Sequence, residues 1–176
     1  MTELFTSQPV EALKQVLAQL EPCSAFALTD ENVFAKVIRP NPELHDFLSP
    51  RLYVMPAGEE AKTLEQTAKV WDWLSENGAT RKSVLVNIGG GVVTDLGGFA
   101  AATYMRGIPH INVPTSLLGA VDAAFGGKTG IDFGGLKNLV GAFRQPTAVI
   151  VCADFFATLP REELLSGYGE MLKHAL

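Results

Sequence analysis

Val84-Leu85-Val86-Asn87-Ile88-Gly89-Gly90-Gly91-Val92-Val93-Thr94-Asp95-Leu96-Gly97-Gly98 reads as a buried strand, a glycine turn and the opening of a helix. Glycines at such a turn let backbone N–H groups approach an anion, and the helix dipole favours negative charge at the same place. The spacing is not G-x-G-x-x-G. Taken alone, these residues suit either a pyrophosphate cradle or a plain tight strand-to-helix turn.

The same alternation recurs on both sides of this stretch. Short apolar runs at 24–28, 52–55, 83–88, 110–113 and 148–151 are each bounded by Pro, Gly or Asp, as for strands buried on both faces. Residues 9–20 place Val10, Leu13, Val16, Leu17 and Leu20 at helical spacing, with Pro9 where a missing N–H costs nothing. Residues 63–76 bring Leu64, Ala68, Val70, Trp71 and Leu74 to one face, and Asn77-Gly78 supplies a stop. Strand alternating with helix predicts an α/β fold with a doubly wound, mainly parallel, Rossmann-like sheet.

The chain has 176 residues, enough for one domain with a sizeable core, and is 47% hydrophobic and 19% charged. Its net charge of −5 argues against nucleic acid or an anionic membrane as main partner and leaves room for small anionic ligands. No apolar run is long enough to span a bilayer, and Met1-Thr2-Glu3-Leu4-Phe5 lacks the basic start of a secretory signal, so a cytoplasmic protein is expected. Cys23 and Cys152 show no metal-ligand spacing and read as free buried thiols.

Polar residues that could carry chemistry gather from Gly89 onward. Arg106, in Tyr104-Met105-Arg106-Gly107, suits bidentate pairing with a carboxylate or phosphate, or a solvated surface position. Thr115 and Ser116, at a strand's carboxyl end, suit a ligand hydroxyl or a helix cap. In 121–138, Asp122, Lys128, Lys137 and Asn138 lie among glycines, like a phosphate-binding bed; a mobile polar loop is the alternative. Glu170, Lys173 and His174 share one face of a helix starting at Gly167, and a carboxylate with a His at i+4 suits a metal. The three histidines, at 45, 110 and 174, are not paired at ligand spacing, so a zinc site would be incomplete. The apolar surface of 167–176 ends without a cap, and more protein is expected to cover it.

Six motifs occur in one order: Gly89-Gly90-Gly91-Val92-Val93-Thr94-Asp95-Leu96-Gly97-Gly98-Phe99, Tyr104-Met105-Arg106-Gly107, Val113-Pro114-Thr115-Ser116, Asp122 to Asp132, Lys137-Asn138-Leu139-Val140-Gly141 and Gly169-Glu170-Met171-Leu172-Lys173. The series resembles the 3-dehydroquinate synthase family. The resemblance implies an N-terminal α/β domain, here 1–166, and a helical domain of which 167–176 would be the start. It implies NAD held by Asp30, Glu59, Lys62, Gly90, Gly91, Asp95, Thr115, Ser116, Lys137 and Thr158. Substrate, a phosphate-bearing sugar acid, would meet Arg106, Asp122, Lys128, Asn138 and Lys173, with Asp122 in a supporting electrostatic or zinc-water role. Glu170 would be one ligand of zinc or cobalt, the other ligands lying in the later domain. The implied reaction converts 3-deoxy-D-arabino-heptulosonate 7-phosphate to 3-dehydroquinate and phosphate, in a homodimer. Ser116 stands where the family usually has a second Thr, which keeps the hydroxyl. A related sugar-phosphate cyclase or polyol dehydrogenase, and an NAD-binding module without activity, are the competing readings.

Overall fold

The computed structural model describes residues 1–175; the side chains of His174 and Ala175 and all of Leu176, which the sequence reading used, lie outside the described residues. In chain order the strands are β1 (Thr2–Phe5), β2 (Ser24–Asp30), β3 (Leu52–Met55), β4 (Ser83–Gly89), β5 (His110–Pro114), β6 (Lys128–Phe133), β7 (Leu136–Phe143) and β8 (Ala148–Val151). Six of them form one parallel sheet in the order β1-β8-β5-β4-β2-β3. The helices are α1 (Pro9–Leu20), α2 (Glu31–Val33), α3 (Pro42–Leu48), α4 (Leu64–Glu76), α5 (Gly91–Thr103) and α6 (Arg161–Ala175). Among the described residues no helix is long and apolar enough to cross a membrane.

Successive side chains of a strand leave opposite faces, so a strand covered by helices on both sides must be apolar throughout. β4 is buried over its whole length. Val84, Val86 and Ile88 join the core under α1 and α3, while Leu85 joins the core under α4 and α5 with Phe26 and Leu28. The helices end where the sequence indicated. Thr63 Oγ1 accepts from the Gln66 N–H at 3.1 Å at the start of α4, and Gly78 takes φ +74 after it.

α5 packs without room for a side chain against the sheet at Gly97 and against Thr129 of β6 at Gly98. A Cβ at Gly97 would collide with the Asn87 side chain and come within 2.9 Å of Leu28 Cδ2. Gly97→Ala therefore gains helix propensity but overpacks the core, and a net loss of about 2 kcal/mol is expected in urea denaturation.

Four features differ from the sequence reading. Strand β1 is an additional edge strand; it is four residues long and pairs only with β8, so no two-sided apolar run announces it. The polar stretch after Phe125 is not a loop, because β6 and β7 form an antiparallel hairpin closed by Gly134 and Gly135, both at positive φ. Its alternate residues Ile131, Val140 and Ala142 pack against the α4–α5 core, and the density of glycines and charges masks that period in the sequence. Helix α6 starts at Arg161, ahead of Gly167, with Glu162 and Glu163 in its first turn, where the dipole favours them. Cys152 is buried as expected, but Cys23 is exposed, since it precedes β2 at the sheet's amino edge; both thiols are free.

Candidate dinucleotide and substrate site

Parallel strands put all their carboxyl ends on one edge. β2 ends there on Asp30, β3 leads into the turn holding Glu59 and Lys62, β4 into the glycine turn, β5 into Thr115 and Ser116, and β8 into the 3-10 helix Ala153–Thr158. From β2 the chain moves outward to β3, then returns across β2 to β4 and continues the other way through β5. The switch in direction opens a crevice between the ends of β2 and β4, where ligands of doubly wound sheets bind.

A cleft of about 640 Å³ occupies that position, and its wall includes Asp30, Glu59, Lys62, Gly90, Gly91, Asp95, Thr115, Ser116 and Thr158. Of the residues expected around the cofactor, only Lys137 is off this wall. It stands exposed at the hairpin tip with Nζ 3.7 Å from Glu59 Oε1. Gly90 is the N-cap of α5 and offers no side-chain cap, so among the described residues no N-cap side chain satisfies the first N–H groups of this 13-residue helix. A Cβ at Gly90 would lie 3.4 Å from Ser116 Oγ, and one at Gly91 would lie 3.8 Å from Ala123 Cβ, filling the space over the helix end. A bare helix terminus in a slot kept open by glycine fits a diphosphate. Ser116 also caps, because its Oγ accepts from the Gly119 N–H at 3.1 Å.

Two carboxyls on this wall are shifted by burial. Asp30 N-caps α2, its Oδ1 accepting from the Val33 N–H at 2.9 Å, and desolvation raises its carboxyl above the usual range. Desolvation likewise raises Asp95, against the opposing pull of its bond to Lys62. Lys62 is only 3% exposed, and its Nζ lies 2.6 Å from both Asp95 Oδ2 and Asn138 Oδ1 and 3.9 Å from Glu59 Oε1.

A second compartment of about 460 Å³ adjoins the first, sharing Asp95, Asp122 and Ala123 with it and adding Lys128 and Asn138. Asp122 sits on the π-helical turn Gly119–Ala123. Asn112 holds that turn by donating from Nδ2 to the Ala124 carbonyl at 3.0 Å, and Asn87 Nδ2 in turn donates to Asn112 Oδ1 at 3.0 Å. These two buried asparagines were missed in the sequence reading; a polar amide inside otherwise apolar strands 84–88 and 110–113 was the available signal. Lys36, which also lines the larger cleft, was missed too, and nothing in its local pattern marks it.

The structure does not gather every expected residue. Arg106 follows the far end of α5, about 20 Å along the helix from its N-terminus, and precedes β5, which places it at the amino edge of the sheet. It lines neither compartment. Glu170 and Lys173 lie on α6, with Lys173 Nζ 2.7 Å from Glu170 Oε1, a bond that raises the Lys173 ammonium. α6 packs tightly against the turn before Asp122, since a Cβ at Gly167 would come within 2.6 Å of Leu117 Cβ. Among the described residues no group of three or more His, Cys, Asp or Glu could hold a metal, so Glu170 alone does not make a metal site.

A parallel, doubly wound sheet with a glycine-lined helix terminus at its switch point defines a Rossmann-like domain. Residues 52–166 match the family model for the 3-dehydroquinate synthase N-terminal domain, and the chain belongs to that family. The 3-dehydroquinate synthase of Parabacteroides distasonis is 48% identical over 164 residues, which are 93% of this chain and 46% of that protein. The chain spans about half the length of the curated relatives it matches. Among solved structures, 2-deoxy-scyllo-inosose synthase complexed with carbaglucose-6-phosphate, NAD+ and Co2+ superposes with TM-score 0.85 at 25% identity, covering 97% of this chain and 47% of that one. ValA, the 2-epi-5-epi-valiolone synthase of Streptomyces hygroscopicus with NAD+ and Zn2+ bound, gives TM-score 0.83 at 28% identity, covering 97% and 48%.

Proposed function

We propose that this chain is the dinucleotide-binding half of a 3-dehydroquinate synthase, which converts 3-deoxy-D-arabino-heptulosonate 7-phosphate to 3-dehydroquinate and phosphate. The observation that carries this reading is the uncapped N-terminus of α5 between Gly90 and Ser116, opening into a cleft that joins a second, cation-bearing compartment. Residues 1–166 are assigned to the dinucleotide domain and 167–176 to a helical domain, a division that falls within α6. Exposed Leu165, Tyr168, Met171 and Leu172 on α6 support a covering partner there.

In this reading the α5 N–H groups and Gly90–Gly91 bind the pyrophosphate of NAD, and Asp30 accepts from a ribose hydroxyl at the end of β2. When bound, NAD would supply a reversible hydride acceptor for a substrate hydroxyl. Lys128 and Asn138 hold the substrate's anionic and hydroxyl groups, and Asp122 stands between the two compartments as an electrostatic support. Glu170 is assigned as one ligand of a divalent ion whose other ligands come from outside this chain, and no step is built on it. Thr158 and Glu59 line the cleft, and Lys137 reaches Glu59 from the hairpin tip. A cytoplasmic site and a homodimer complete the proposal. Arg106 has no part in this cleft as the chain stands.

The likeness to two sugar-phosphate cyclases favours one second reading, a cyclase acting on another phosphorylated sugar. Calorimetric titration of the folded chain with NAD tests the shared premise, and saturable one-to-one binding is the expected result. Absence of binding to a chain that circular dichroism shows to be folded would remove both readings. Product analysis with the full-length protein then separates them, since 3-dehydroquinate forms only in the first.

A further inference from the structure

A buried ammonium needs acceptors, and those of Lys62 belong to different parts of the molecule. Asp95 comes from the first turns of α5 and lines both compartments, whereas Asn138 comes from β7 and lines only the smaller one. The backbone of Lys62 is tied to the same hairpin, because its carbonyl accepts from the Asp132 N–H at 2.8 Å. Asp132 Oδ1 in turn accepts from the Asn138 N–H at 2.8 Å, and Asn138 takes φ +53, left-handed backbone that Asn tolerates better than most non-glycine residues. Lys62 is thus the bolt between the dinucleotide cleft and the hairpin that walls the substrate compartment.

We propose that Lys62 is a positioning residue that couples the two compartments, so that its bond to Asn138 sets the affinity of the cleft for NAD although Asn138 does not line that cleft. The inference rests on the proposed dinucleotide site. Without the Asn138 carbonyl, a nearly inaccessible ammonium is one acceptor short. Glu59 Oε1, 3.9 Å away, is the nearest replacement, and a shift toward it carries Lys62 off Asp95 and disorders the wall against which the dinucleotide rests. By reciprocity, whatever factor a ligand in the smaller compartment that fixes Asn138 adds to NAD binding, NAD adds to the binding of that ligand.

The test is calorimetric titration of the whole chain with NAD, for wild type, Asn138→Gly, Asn138→Asp and Leu139→Ser. Glycine suits φ +53, so Asn138→Gly removes the side chain without backbone strain, and thermal melts compare the folded states. Leu139→Ser perturbs the neighbouring, exposed position on the same strand without touching Lys62. Asn138→Gly is expected to weaken NAD binding about tenfold. Asn138→Asp restores an acceptor and recovers most of that loss, and Leu139→Ser binds like wild type. The proposal is overturned if Asn138→Gly binds NAD within twofold of wild type, or if Leu139→Ser loses as much as Asn138→Gly. A folded wild type that binds no NAD overturns the dinucleotide site and this inference together, whereas wild-type binding with an unaffected Asn138→Gly overturns this inference alone.

Discussion

In an Asp95→Ala variant the unfolding free energy is expected to fall by about 3 kcal/mol, and NAD binding to be lost. Lys62 is the reason for the first effect. Its Nζ is 2.6 Å from Asp95 Oδ2 in a side chain only 4% exposed, so removing the carboxylate leaves a buried cation with the neutral Asn138 carbonyl and a carboxylate, Glu59, no nearer than 3.9 Å. Breaking such a pair on one side costs far more than the pair contributes, because the remaining charge keeps its desolvation penalty. The loss of binding follows from position, since Asp95 lies in the first turns of α5 and faces both compartments. Urea denaturation of a double-mutant set decides the point. Lys62→Met combined with Asp95→Leu should be more stable than Asp95→Ala alone, as no unpaired charge remains. If Asp95→Ala unfolds at the wild-type urea concentration, the ammonium is not buried as described.

The second large effect is acid loss of stability through His110. This side chain opens β5, is 1% exposed, and neither ring nitrogen has a hydrogen-bond partner among the described residues. Burial, with a smaller contribution from Arg144, lowers its folded pKa to about 4. An unfolded histidine takes its proton near pH 6.5, so below that pH the unfolded chain binds more protons than the folded one. Stability from this group is complete above about pH 6.5 and falls as the pH drops toward 4, by about 3 kcal/mol at the lower limit. His110→Leu should flatten the unfolding free energy across this window, leaving only the slope of the carboxylates at its acid end. Equal slopes for variant and wild type between pH 6.5 and 5 would refute the assignment.

Much of the fold was legible in the chain itself. The run at 148–151 is uniformly apolar and that at 84–88 is broken only by Asn87, because strands covered on both faces have no solvent side, and the periods of 9–20 and 63–76 mark helices that present one face to them. Those are local properties, and a residue's neighbours along the chain determine them. The hairpin was not legible, because Gly130, Gly134, Gly135 and Gly141 interrupt its alternation and half its residues face a compartment that exists only after folding.

Site membership divides in the same way. Gly90, Gly91 and Asp95 are fixed by one strand–turn–helix unit, so the sequence by itself determined the glycine turn from β4 into α5. Motif order together with residue type determined the family. Tertiary structure alone decided which of the remaining polar residues share a space. It joined Asp30, Glu59, Thr115 and Thr158, which leave four different strands, because parallel pairing brings all carboxyl ends to one edge. It also sent Arg106 to the opposite edge, since a residue between a helix and its following parallel strand must lie there. The bond from Lys62 to Asn138 spans 76 positions of sequence, and only the return of the hairpin onto the turn after β3 brings those atoms within 2.6 Å.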